Sequence, residues 1–207
     1  MARVRETAAQ KEARVIEAAA RVFRRLGFAR TSMEAIASEA GMSRPALYLV
    51  FPGKDEIFAA TVEHLGQALL EELRDGAAGL SSPGERLAAI CRRWVVEGFE
   101  RAAEHPEQRD LTDPGREPVK QVYLRLESLV EGEIAALGTS RPSAAAVARM
   151  LVASMRGLKD AAGSVEEARA LIDLQIALVL AGLRAEQGQR DEKAAAEALG
   201  TPPPPRA

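Results

Sequence analysis

The sequence predicts an all-α fold, and three observations carry that prediction. Apolar residues recur at helical spacing in one segment after another. Alanine is abundant while aromatic residues make up only 4% of the 207-residue chain, a composition that suits helix–helix cores. No stretch alternates apolar with polar residues as a half-buried strand would. About nine helices are read in all: a small N-terminal unit of three helices, then a larger helical domain.

Residues 1–9 read as a flexible basic arm. From Val15 the positions Ile16, Ala19, Ala20, Phe23 and Leu26 share one helical face, and Gly27 stands where a C-terminal cap belongs. Thr31-Ser32-Met33-Glu34 reads as a T-x-x-E capping box for a second, short helix closed by Gly41. Ser43 then caps a third helix, with Pro45 in its first turn, where a missing N–H costs little. Two short helices joined by a tight glycine-bearing turn form a helix-turn-helix. Lys54 opens a long helix that runs out near Gly76, and Ser82-Pro83-Gly84-Glu85 starts the next. HPEQRDLTDPGREP, residues 105–118, reads as a turn-rich loop with a short helical fragment. Amphipathic helices are expected from Val119 to Leu137, over 143–161, and from Ser164 to about residue 186. The tail 187–207, with its four consecutive prolines, is expected to be disordered.

Several function classes fall away at this level. With one cysteine, Cys91, and two histidines, His64 and His105, neither a disulfide framework nor a metal site is expected. No glycine-rich phosphate loop, nucleophile elbow or metalloprotease motif occurs, so no catalytic site and no cofactor is expected. The charged start lacks the apolar core of a secretory signal, and IALVLAGL is far too short to span a bilayer. A soluble, cytoplasmic protein without a membrane partner is the expectation. Charge is uneven: residues 1–60 hold ten Lys/Arg against seven Asp/Glu, whereas the remainder carries a net −5. A mildly basic head on an acidic body suits a nucleic-acid partner.

The third helix is the informative one. Wound at about 100° per residue, 44–51 gathers Leu47, Val50 and Phe51 on one side and Arg44, Pro45, Tyr48 and Leu49 on the other, with Ala46 at its edge. So short a helix is held only by its inner face. Its outer face is a poor surface for water and a good one for the major groove, which rewards donors and methyl contacts together. Arg44 fits guanine O6/N7, while Pro45, Ala46 and Leu49 fit thymine methyls. Tyr48, Ser43 and Lys54 fit phosphates, Lys54 standing at a helix start that itself favours anions.

The run TSMEAIASEAGMSRPALYLVFPGKDEIF, with the helix before it, resembles the DNA-binding domain of TetR-family (tetracycline-repressor-like) regulators over about residues 10–69. The resemblance implies double-stranded DNA as a partner, contacted by Thr31, Ser32, Ser43, Arg44, Tyr48 and Lys54, and Met33 is counted with them. Two departures stand out: Pro45 where glycine is frequent, and Leu49-Val50 in place of a polar or aromatic pair that often includes histidine. For residues 70–186 the resemblance implies a regulatory and dimerisation domain, and so a homodimer reading a palindromic operator. LIDLQIALVLAGL, 171–183, is apolar on nearly every face and fits a helix buried on two sides. Val147, Leu151, Leu158, Leu171, Leu174, Leu178 and Leu183 are the expected pairing residues. An effector pocket, largely apolar, would draw on Cys91, Trp94, Phe99, Tyr123, Met150 and Met155. A ligand-released repressor is the resulting expectation; the alternative is a helical interaction module whose DNA-binding head has decayed.

Overall fold

A computed structural model describes residues 6–138 and 143–198. Among them are eight α-helices, one 3-10 helix and no strand. They are α1 (Ala8–Arg30), α2 (Met33–Glu39), α3 (Arg44–Tyr48), α4 (Lys54–Ala78), α5 (Pro83–Glu104), the 3-10 helix (Pro106–Leu111), α6 (Glu117–Ala135), α7 (Ala144–Ala161) and α8 (Val165–Ala198). No helix among the described residues is long and apolar enough to cross a membrane.

The chain divides into two compact units. One takes the chain up to Glu72 together with Glu100–Leu126; the other takes Leu73–Phe99 and the chain from Glu127 on. The first is therefore larger than the expected 10–69 domain, because the 105–118 stretch folds with it. That stretch lacks a long apolar run, and this is why it reads as a loop in isolation.

In the first unit, α1 begins earlier than expected: Thr7 accepts from Gln10 N–H while the Gln10 side chain accepts from Thr7 N–H, a capping box that starts the helix at Ala8. The expected arm is thereby cut short, and its residues 1–5 lie outside the described ones. Val15, Ala19, Val22 and Phe23 bury α1's inner face. Phe23, Phe28 and Phe58 form an aromatic core with ring centroids 4.8–6.0 Å apart. Outside it, Arg21 Nε donates to Glu39 at 2.7 Å, tying α2 to α1 and holding the Glu39 carboxyl below its usual range. On α4, Gly66 faces Val122 of α6 so closely that a Cβ would lie 2.4 Å from Val122 Cγ2.

In the second unit Leu87, Ile90, Val130, Ile134, Leu151, Met155 and Ile172 are fully or almost fully buried. Arg86 pairs with Glu133 at 2.8 Å and Arg92 with Asp173 at 2.7 Å across helices. Helix α8 continues to Ala198, twelve residues past the expected end near 186. Good helix formers (Ala, Glu, Gln, Arg, Lys) fill the extension, and Gln187 donates to the Leu137 carbonyl oxygen, so propensity wins over the expectation of disorder. The expected proline-rich tail lies outside the described residues.

Candidate nucleic-acid interface

The turn between α2 and α3 rests on one glycine. Gly41 has φ 64°, and nothing lies within 4 Å of the place its Cβ would occupy. Glycine is needed there for backbone freedom rather than for room. Ser43 follows as N-cap, its hydroxyl oxygen accepting from Ala46 N–H at 3.3 Å. Helix α3 is only five residues long and stands because Leu47 is wholly buried and Phe51 nearly so. Val50 is half-buried beside them.

Anchoring that face leaves the opposite one in solvent. Ser43, Arg44, Pro45, Tyr48 and Leu49 are exposed, Ala46 is half-buried, and Leu49 is 90% accessible. Arg44 donates to the Tyr48 hydroxyl at 3.4 Å with its guanidinium 5.7 Å from the ring centroid. One helical turn apart, the two side chains hold each other in a common direction. The Tyr48 hydrogen bond also raises the Arg44 pKa above its ordinary value; a guanidinium is charged in any case and carries further N–H donors beyond the one given to Tyr48. Nearby, Ser32 is exposed as the N-cap of α2, accepting from Ala35 N–H at 3.1 Å. Its own hydroxyl proton remains available to a phosphate.

Three expected contact residues face inward instead. Thr31 is buried, and its hydroxyl donates to the Gly27 carbonyl oxygen at 2.7 Å. The cap of α2 is accordingly Ser32, one residue later than the expected T-x-x-E box. Met33 is buried on α2's inner face. The Lys54 ammonium donates to the carbonyl oxygens of Phe28 and Thr31, both at 2.9 Å, and lies 4.2 Å from the Phe28 ring centroid. It gives the Thr31 carbonyl a donor and the Phe28 carbonyl, which already accepts from Thr31 N–H at 3.2 Å, a second one. Lys54 is a clamp on the α1–α2 turn, and the sequence could not reveal this because its acceptors lie 26 and 23 residues away.

Residues 15–61 match the family described as bacterial regulatory proteins, tetR family. The likeness to that family is carried by this N-terminal segment, which holds α2, α3 and the turn between them. Among curated relatives, a probable HTH-type transcriptional regulator, ArpR, from Pseudomonas putida is 41% identical over 95 residues, which cover 45% of this chain and 43% of ArpR. The chain spans less than half the length of the curated relatives it matches. Among solved structures, a TetR-like transcriptional regulator from Rhodococcus sp. RHA1 is 29% identical with a TM-score of 0.59, covering 86% of this chain and all of that one. The transcriptional regulator FadR from Bacillus subtilis, in complex with stearoyl-CoA, shares the fold at TM-score 0.61 and 14% identity, over 79% of this chain and 97% of that one.

Outside the matched TetR-family segment the expected trunk residues scatter. Cys91, Trp94 and Met155 are buried in the second unit, and Phe99 is half-buried there. Lys159 Nζ stands 5.3 Å from the Trp94 ring centroid and its side chain crosses Gly98. Burial pushes the Cys91 thiol up to about 12, which removes the thiolate a redox sensor needs. Tyr123 is buried but belongs to the first unit. Met150 is 55% exposed and so is no part of an enclosed pocket. Of the expected pairing residues, Val147, Leu151 and Leu183 are buried within the chain, Leu158 and Leu171 are half-buried, and Leu174 and Leu178 are 57% and 65% exposed. Met150 therefore moves from the pocket to the outer face, where it lines a shallow depression with Ala145, Ala146, Arg149 and Ala153. Its offset from the buried Val147 and Leu151 on α7 is the signal that separates it from the core. Among the described residues no group of His, Cys, Asp and Glu gathers in a way that could hold a metal ion.

Proposed function

We propose that the protein is a homodimeric, ligand-responsive transcriptional repressor that binds a palindromic operator in the cytoplasm. The carrying observation is the exposed edge of α3. A five-residue helix anchored by Leu47 and Phe51 presents a paired Arg44 and Tyr48 and a bare Leu49 to solvent. A permanent cation, a hydroxyl and an aliphatic tip are the equipment that reads guanine, phosphate and thymine methyl in the major groove.

The exposed Leu174 and Leu178, one turn apart on α8, together with the exposed Met150 on α7, support dimerisation, since an apolar face of large side chains is stabilised by a covering surface. A two-fold pair also supplies two reading helices for two half-sites about 34–36 Å apart. The buried Cys91, Trp94 and Met155 give the trunk an apolar interior suited to a largely apolar effector. A neighbour of the same fold, FadR, holds stearoyl-CoA. An effector that binds the two conformations unequally would lower DNA affinity by that difference.

The test is a mobility shift of the purified protein on DNA upstream of its own gene, repeated with sequences selected from a random pool. A specific complex that survives moderate salt supports the reading. Binding that is equally weak on every sequence removes it and favours the interaction-module alternative.

A further inference from the structure

The break at the end of α1 leaves the following turn in need of support. Gly27 departs from helical geometry at φ 72° and ψ 167°, and the chain from Phe28 to Thr31 must then deliver α2 in one direction. The support comes from a segment more than 75 residues downstream. A Cβ on Gly27 would lie 2.6 Å from the Glu107 carbonyl oxygen, so the 3-10 helix sits directly against the break. The Phe28 N–H, freed from the helix, donates to Asp110 Oδ2 at 3.2 Å. Asp110 Oδ1 accepts from Arg116 at 3.0 Å. The Arg116 guanidinium in turn lies 4.4 Å from the Phe28 ring centroid and 5.2 Å from that of Phe58. Lys54 reaches the same ring from α4 while holding the Phe28 and Thr31 carbonyls.

Phe28 is thus gripped at its N–H, its carbonyl and its ring by three side chains from three parts of the chain. Asp110 and Arg116 lie well beyond the 15–61 segment that carries the family match. Both are about two-thirds shielded. The Asp110 carboxylate is bound at both oxygens, one to the turn and one to Arg116, so neither side chain is free to swing. Resting on the DNA-binding reading, we propose that Asp110 and Arg116 are positioning residues for operator binding. They fix the α1–α2 turn and, through it, the aim of α2 and α3, so that the DNA-binding head is incomplete without residues 106–116.

The full-length wild type and its Asp110→Ala, Asp110→Asn, Arg116→Ala and Arg116→Lys variants are titrated onto a selected operator and onto a scrambled duplex of equal length. Circular dichroism establishes that each is folded. Asp110→Ala and Arg116→Ala are expected to weaken operator binding about tenfold, because the first takes the acceptor from the Phe28 N–H and the second takes from Asp110 the donor that holds it in place. Scrambled-duplex affinity and its salt slope stay unchanged, since the groups that meet phosphates are untouched. Asp110→Asn, whose amide oxygen still accepts from Phe28, recovers most of the affinity. Unchanged operator binding in the alanine variants overturns the proposal, as does equal loss on both duplexes, which marks a purely structural role. If an alanine variant fails to fold, the Asn and Lys variants decide on the same two duplexes: loss confined to the operator with Arg116→Lys, and near-full affinity with Asp110→Asn, support positioning, and any other pattern overturns it. A wild type that binds neither duplex specifically refutes the DNA-binding reading first, and the positioning role with it.

Discussion

Arg44 and Lys54 are both cations near the recognition helix, and their surroundings give them opposite tasks. Arg44 is exposed and steadied by Tyr48, so Arg44→Ala should cost about 1–3 kcal/mol at the operator and relax base choice there. Fluorescence anisotropy on the operator and on single-base variants measures both effects, and the folding midpoint should not move. Lys54 is spent on two carbonyls. Lys54→Ala should therefore lower folding stability by about 1–3 kcal/mol, read by urea unfolding, since the Thr31 carbonyl loses its donor and the Phe28 carbonyl keeps only the Thr31 N–H. Had Lys54 served phosphate alone, unfolding would be untouched. Cys91 yields a third prediction. With its thiol pushed up to about 12 by burial, the native protein should not react with a thiol reagent at neutral pH, while the denatured chain reacts fully. Rapid native labelling would show that the trunk opens around it.

At the scale of elements, two glycines with positive φ separate backbone freedom from close approach. Gly41→Ala should cost about 1–2 kcal/mol, the strain of a left-handed residue, because the space beyond it is empty. Gly27→Ala meets a backbone conformation, φ 72° with ψ 167°, that is nearly closed to any residue with a Cβ, and a clash with the Glu107 carbonyl oxygen, so thermal unfolding should show the larger loss. The helices themselves were legible in the sequence wherever the signal is local: Gly27 and Gly41 as stops, Ser43 as a cap, Leu47 and Phe51 as an inner face. The exposed edge of α3 followed from the same winding. Lost to sequence reading was whatever depends on distant partners. Thr31 and Lys54 satisfy the end of α1, and the 106–116 segment packs there too, through contacts that no helical period encodes. The extension of α8 was missed because a polar, alanine-rich run carries no amphipathic stripe, although its propensity is high.

For the whole molecule, the outer faces of α7 and α8 and the edge of α3 belong to one account, in which pairing sets the spacing of two reading helices. Leu174→Glu with Leu178→Glu places two charges on the exposed apolar face. The double variant should run as a helical monomer in light scattering, against a dimeric wild type, and lose operator affinity by far more than scrambled-duplex affinity. A double variant that remains dimeric would move the pairing surface elsewhere. The central claim, sequence-specific DNA recognition through the Arg44–Tyr48–Leu49 edge, is tested most directly by selecting bound duplexes from a random pool with wild type and with Arg44→Ala. The account predicts that wild type enriches an inverted repeat with half-sites about one helical turn apart, and that Arg44→Ala loses preference at one base of each half-site. No enrichment by wild type, or the same enriched sequence at the same affinity with Arg44→Ala, would contradict it.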